Sequence, residues 1–191
     1  MKDGEILKIL ADSGALLEGP FELRSGLHSD RFFQCANVLR YPRRAEALCL
    51  ELVGKMRPAL GPGPIADCVI APALGGILVG HEVARALGVR SIFAEKQDGK
   101  LVLRRFTIAR GERYVVAEDV VTRGGRVQET IDIVEHGGGR VAGIAVLVDR
   151  SGGAAQFRYP LFSLMRMAPV TYTPGACPLC ARGAPLTHPG S

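Results

Sequence analysis

The sequence predicts an α/β protein built on a parallel sheet, and three observations carry that prediction. Two stretches repeat one pattern, in which an apolar run enters a glycine-containing loop and a helical pattern follows at once. The first is Ile65 to Ile70, then Ala71-Pro72-Ala73-Leu74-Gly75-Gly76, then Ile77 to Leu87. The second is Tyr114 to Val121, then Thr122-Arg123-Gly124-Gly125-Arg126, then a helix with Val127, Ile131 and Val134 on one face. Third, Val141 to Val148 is an unbroken apolar run, as expected of a strand buried on both faces. The ends of such strands gather at one edge of a sheet, where ligands bind.

A chain of 191 residues fits one domain with a sizeable core. A net charge of +5 and a pI near 9.1 suit anionic ligands. No Lys/Arg-rich block is interleaved with aromatics, and the chain has seven Phe, four Tyr and no Trp, which argues against a nucleic-acid partner. Met1-Lys2-Asp3-Gly4-Glu5 opens with mixed charge rather than a signal sequence, and no apolar run approaches a membrane span. The expectation is a cytoplasmic protein with no membrane partner. Cys35, Cys49 and Cys68 fall in apolar patterns and read as reduced, buried thiols.

Ile6, Leu7, Ile9, Leu10, Leu16 and Leu17 predict a short amphipathic helix over residues 5–17. Phe21 to Arg24 alternates like a strand, and Ser25-Gly26 turns it. Phe32-Phe33, with Arg24 and Arg31 nearby, reads either as an aromatic floor for a flat anionic ligand or as the core face of a hairpin. Pro42 opens the clearest helix, with Ala45, Leu48, Cys49, Leu52, Val53 and Met56 on one face, and Gly61-Pro62-Gly63-Pro64 ends it. Arg90 to Glu95 is a strand, and Leu101 to Phe106 resumes it after Gln97-Asp98-Gly99-Lys100. That tip is either a mobile basic flap or a solvated hairpin turn. Residues 159–167 make a last strand, which Pro160 marks as an edge.

Chemistry concentrates at three strand ends. Glu118-Asp119 closes one apolar run just before the Thr/Gly loop. Carboxylates suit the hydroxyls of a polyol, and loop amides at a helix start suit a phosphate. Gly75-Gly76 is either a second anion nest or a tight turn that needs small residues. Asp149-Arg150 ends the buried run that begins at Val141. In the tail, Cys177-Pro178-Leu179-Cys180 is a lone CxxC, read as a plain turn, a redox-sensitive pair or half a metal site. A metal would want two more ligands, and His188 is one candidate.

The segment Val116 to Gly125 resembles the phosphoribosyl-diphosphate (PRPP) motif of the type I phosphoribosyltransferases. More narrowly, the chain is similar to the orotate branch of that family, from about residue 15 to residue 155. Leu23-Arg24-Ser25-Gly26 with Ser29 and Phe32-Phe33 matches the orotate signature, and Ala71 to Gly76 the diphosphate loop. Glu95-Lys96 matches the flap entrance, and Val148-Asp149-Arg150 the late base-contacting strand end. The resemblance implies a sheet of about five parallel strands flanked by helices. It also implies a core of about 41–154, a small hood from about 1–40 and 155–191, and a flap of about 96–106. It implies a homodimer with flaps shared across the interface, and Mg²⁺ held mainly by substrate and water. The implied reaction joins orotate to PRPP, giving orotidine 5′-monophosphate and diphosphate in pyrimidine synthesis. The alternatives are a purine or other-base enzyme of the same fold, or a non-enzymatic PRPP sensor.

Implied roles carry over by position. Glu118 and Asp119 hold the ribose hydroxyls, and the stretch Val120, Val121, Thr122, Arg123, Gly124, Gly125 and Arg126 cradles the 5′-phosphate. Ala73, Leu74, Gly75 and Gly76 bind diphosphate. Arg24, Phe32, Phe33, Thr122 and Arg150 meet orotate, while Lys96, then Lys100, covers the developing charge. The chain departs from the family at several points. Arg24 replaces a usual lysine, and Arg123, Gly125 and Arg126 stand where small or hydroxyl residues are common. Gly75 occupies a position that is lysine in some relatives, and Glu95 one that is often basic.

Overall fold

The computed structural model describes residues 1–23, 25–168, 170–183 and 185–188. The chain divides into two compact units, Met1–Arg40 with Ala168–Ser191, and Tyr41–Met167.

The first unit opens with α1 (Asp3–Asp12), which buries Ile6 and Leu10. The Lys2 backbone N–H donates to Glu5 Oε2 at 2.7 Å, which anchors the first turn. Ser13-Gly14 ends the helix, as the glycine predicts, and Leu16 and Leu17 beyond it fall in β1 (Leu16–Glu22). β1 pairs antiparallel with β2 (His28–Phe33) from Leu16 opposite Phe33 to Glu22 opposite His28, with a register shift between Glu18 and Phe21. A short α2 (Ala36–Leu39) follows.

The second unit begins with α3 (Pro42–Leu60), whose Pro42 sits in the first turn and whose six predicted apolar residues are all buried. Then come β3 (Cys68–Pro72), α4 (Gly75–Leu87), β4 (Arg90–Gln97), β5 (Lys100–Val102), β6 (Arg113–Val121), α5 (Gly125–His136), β7 (Arg140–Asp149) and β8 (Leu161–Arg166). The sheet order is β5-β4-β3-β6-β7-β8. The five strands β4, β3, β6, β7 and β8 run parallel, as expected, and β5 adds an antiparallel edge. Strands β3, β6 and β7 are central and almost wholly buried, which explains their apolar runs. Ile70, Val116, Ile144 and Val146 meet Val127, Ile131 and Val134 of α5 in one hydrophobic core.

Two boundaries differ from expectation. β8 pairs with β7 from Ile144 opposite Leu161 to Asp149 opposite Arg166, so the second unit extends to Met167 rather than ending near 154. Pro160 lies just before this edge strand, where its missing N–H costs no ladder bond. The expected 101–106 strand stops at Val102. β4 and β5 form a hairpin with Gln97 opposite Lys100. Asp98 (φ 51°) and Gly99 (φ 85°) both take positive φ in its two-residue turn.

The chain then returns to the first unit. There β9 (Thr171–Tyr172) pairs with β2 at His28 and Ser29, and Ser29 Oγ donates to the Val170 carbonyl at 3.0 Å. No helix among the described residues is long and apolar enough to cross a membrane.

Candidate active site

At the end of β6, Glu118 is buried while Asp119 and Val120 become partly accessible. Opposite them α4 starts at Gly75-Gly76, after a cis peptide bond between Ala73 and Leu74. The two glycines let the helix start close on the acids. A Cβ on Gly76 would stand 3.2 Å from Glu118 Oε2 and from the Ala117 carbonyl oxygen, and one on Gly75 would stand 2.9 Å from Asp119 Oδ2. The close approach fits the tight-turn reading of Gly75-Gly76, and a side chain at position 75 requires the Asp119 carboxylate to shift.

Burial, and then the neighbouring charge of Asp119, push the Glu118 carboxyl up to about 9, with Arg126 opposing them. Among the described residues, Glu118 Oε2 is buried without a hydrogen-bond partner. A buried oxygen acceptor beside a second carboxylate is a donor set that a cation or a sugar hydroxyl would satisfy.

The loop from Thr122 to Arg126 lines a cavity of 240 Å³, together with Glu118 and Glu129. Gly124 initiates α5 with φ +81°, and its absent Cβ would stand 2.7 Å from the ring of Phe157. A side chain at 124 meets both a strained backbone and an aromatic wall. Arg126, one of the unusual residues of this loop, donates from its guanidinium to the Ala73 carbonyl. It thereby links the candidate phosphate loop to the candidate diphosphate loop. Thr130 Oγ1 donates to the Arg126 carbonyl at 2.8 Å and steadies the first turn of α5. Arg123 is exposed and, among the described residues, forms no ion pair.

The Arg150 backbone N–H donates to the Val121 carbonyl at 2.8 Å, which sets Arg150 beside Thr122 at the sheet edge. Asp149 instead serves the turn. Its Oδ1 accepts from the backbone N–H of Ser151 at 2.9 Å and from Ser151 Oγ at 2.7 Å. Lys96 lies on the β4–β5 hairpin opposite Leu101, and Lys100 on its far side. Glu95, the acid where a base is frequent, is paired at 3.0 Å with Arg105. The hairpin is tied to α5 by the Leu101 backbone N–H, which donates to Glu129 Oε2 at 3.3 Å.

The remaining predicted residues lie in the other unit. Phe32 and Phe33 are neighbours on β2, so their side chains take opposite faces. Phe33 is buried in the core, while Phe32 is partly exposed with its ring 5.9 Å from that of Phe21. The two rings therefore do not make one floor. Arg24 lies outside the described residues. Phe157 and Glu129 were not singled out from the sequence; neither carries a motif, and only folding brings them to the loop.

Residues 65–166 match the model of the phosphoribosyl transferase domain family. The chain is 49% identical over 192 aligned residues to the orotate phosphoribosyltransferase of Heliobacterium modesticaldum, covering 100% of this chain and 99% of that one. The chain belongs to the orotate phosphoribosyltransferase family. Among solved structures, it superposes on the orotate phosphoribosyltransferase of Aeropyrum pernix with a TM-score of 0.66 and 25% identity, covering 85% of this chain and 93% of that one. An adenine phosphoribosyltransferase from Rhodothermus marinus gives a TM-score of 0.64 at 20% identity, covering 86% and 100%. Backbone fold is thus shared between enzymes of different bases. It is the full-length sequence identity that sets the orotate phosphoribosyltransferase family apart here.

Proposed function

We propose that the chain transfers the 5-phosphoribosyl group of PRPP to orotate, giving orotidine 5′-monophosphate and diphosphate. The observation that carries this reading is the meeting of Glu118-Asp119, the Thr122–Arg126 loop and the Gly75-Gly76 helix start at one sheet edge. In this reading the two acids receive the ribose hydroxyls, the amides of the Thr122–Arg126 loop receive the 5′-phosphate, and Ala73 to Gly76 receives diphosphate. The bond from the sugar's anomeric carbon to diphosphate breaks as the bond to a ring nitrogen of orotate forms.

Charge leaves with diphosphate while the sugar becomes oxocarbenium-like, so positioning and electrostatics dominate. The negative charge of orotate sits on its carboxylate, and the proton of the attacking ring nitrogen passes to the departing diphosphate or to solvent as the C–N bond forms, so no residue need act as a strong base. Lys96, with Lys100 beside it on the hairpin, covers the leaving group and excludes water. Arg150, beside Thr122 at the sheet edge, receives orotate. The hard oxygen donors of Glu118 and Asp119 fit Mg²⁺, which when bound adds positive charge beside the diphosphate. Substrate and water supply most of its ligands. The active form is a homodimer whose flap serves the neighbouring subunit, and it works in the cytoplasm.

Incubation with PRPP, orotate and Mg²⁺, followed by mass spectrometry, tests this reading. Orotidine 5′-monophosphate and diphosphate in equal amounts are expected, and neither product would refute it.

A further inference from the structure

The unit made of Met1–Arg40 and Ala168–Ser191 gathers three side chains that the proposed reaction does not use. His28 on β2, Cys177 and Cys180 bring their ligand atoms within 4.8 Å of one another. Cys180 Sγ lies 3.2 Å from His28 Nδ1, across a sequence separation of 152 residues. His28 and Cys177 are buried, and Cys180 is partly exposed. The histidine suggested by sequence, His188, instead approaches Glu22 at 3.5 Å. One of the two ligands missing from the lone CxxC comes from the far end of the chain.

We propose that His28, Cys177 and Cys180 bind one Zn²⁺ ion, which clamps the C-terminal tail to β2. Zinc bonds of about 2.0 to 2.3 Å in tetrahedral array hold ligand atoms roughly 3.3 to 3.8 Å apart. The present spacings reach that geometry with small side-chain movements. The turn is already set for it. Ala181 N–H donates to the Cys177 carbonyl at 3.1 Å and Gly183 N–H to the Cys180 carbonyl at 2.9 Å. Two thiolates and an imidazole select zinc over magnesium or calcium, and the partial exposure of Cys180 leaves the fourth position to water.

A clamp has work to do here. Among the described residues, the tail also meets the hairpin through the two-residue β9 pairing, the Ser29–Val170 bond, the bonds of Thr187 with Pro20 and Glu22, and the His188–Glu22 pair. An ion joining residues so distant in sequence removes freedom mainly from the unfolded chain.

The test is metal analysis of tag-free full-length protein purified under reducing conditions without chelator, with zinc, iron, nickel and copper all measured. About one zinc per chain is expected. Cys177→Ser, Cys180→Ser and His28→Ala should each lower it about tenfold, while His188→Ala keeps it. Because a variant could misfold, the parent chain is also stripped and refilled with Co²⁺. Thiolate charge-transfer bands and the visible bands of a tetrahedral site should appear, and disappear on adding zinc. Zinc below about a tenth per chain with no cobalt bands overturns the proposal. So does a different metal, retention of zinc in all three variants, or a Cys177–Cys180 disulfide in the reduced preparation.

Discussion

A Cβ on Gly75 would stand 2.9 Å from Oδ2 of Asp119, so the start of α4 rests directly against the second acid of β6. The candidate diphosphate loop and the candidate ribose-binding acids are therefore packed together, and a change in either is felt by the other. Gly75→Ala should displace the Asp119 carboxylate by a few tenths of an ångström. Its KM for PRPP is expected to rise about tenfold, with Tm shifted by no more than about 2 °C. Steady-state kinetics at saturating orotate make the comparison. An unchanged KM would mean that the carboxylate yields freely and that its position against α4 is unimportant.

Glu118 predicts a pH dependence of stability. Its carboxyl titrates near 9 in the folded, ligand-free chain instead of near 4.5. Between those values the folded chain holds a proton that the unfolded chain has lost. The stabilisation is complete below about 4.5 and declines as pH rises toward about 9. Glu118→Gln should flatten that decline and raise Tm by a few degrees at alkaline pH, while kcat/KM falls about a hundredfold or more. Thermal melts across the pH series decide it; a parent-like slope in the variant would mean that Glu118 is ionised throughout.

Arg126 joins the two candidate anion loops through the Ala73 carbonyl. Its removal takes a positive charge from the cavity lined by the Thr122–Arg126 loop and removes the group that opposes the rise of the Glu118 pKa. Arg126→Ala is expected to raise KM for PRPP by about tenfold or more, with little change in Tm. If KM is unaffected, the loop amides alone hold the phosphate.

Lys96 lies exposed on the β4–β5 hairpin and, among the described residues, forms no ion pair. Lys96→Ala should lower kcat by about a hundredfold at unchanged Tm. Mixing Lys96→Ala with Asp119→Asn subunits should recover roughly a quarter of the parent activity. Half of randomly assorted dimers are mixed, and each has one intact site of two. No recovery, once subunit exchange is confirmed, would exclude a flap shared across the interface.

Much of this was legible in the sequence because parallel strands and their loops are local. Val141 to Val148 could only be buried, and Glu118-Asp119 followed by the Thr/Gly loop carried its chemistry in ten consecutive residues. Long-range placements were not legible. His28 is 152 residues from Cys180, and Phe157 meets Gly124 only because β8 returns to β7. Short strands also escaped: apolar Leu103 and Phe106 continued the pattern of β5, yet both pack on the core from an irregular segment. The unusual Arg126 was visible as a departure, but its partner, a carbonyl on another loop, was not.

The most direct measurement offers orotate, uracil, adenine and hypoxanthine separately to the protein with PRPP and Mg²⁺. Loss of base absorbance with release of diphosphate is expected with orotate alone. Turnover of a purine or of uracil, with orotate untouched, would contradict the assignment.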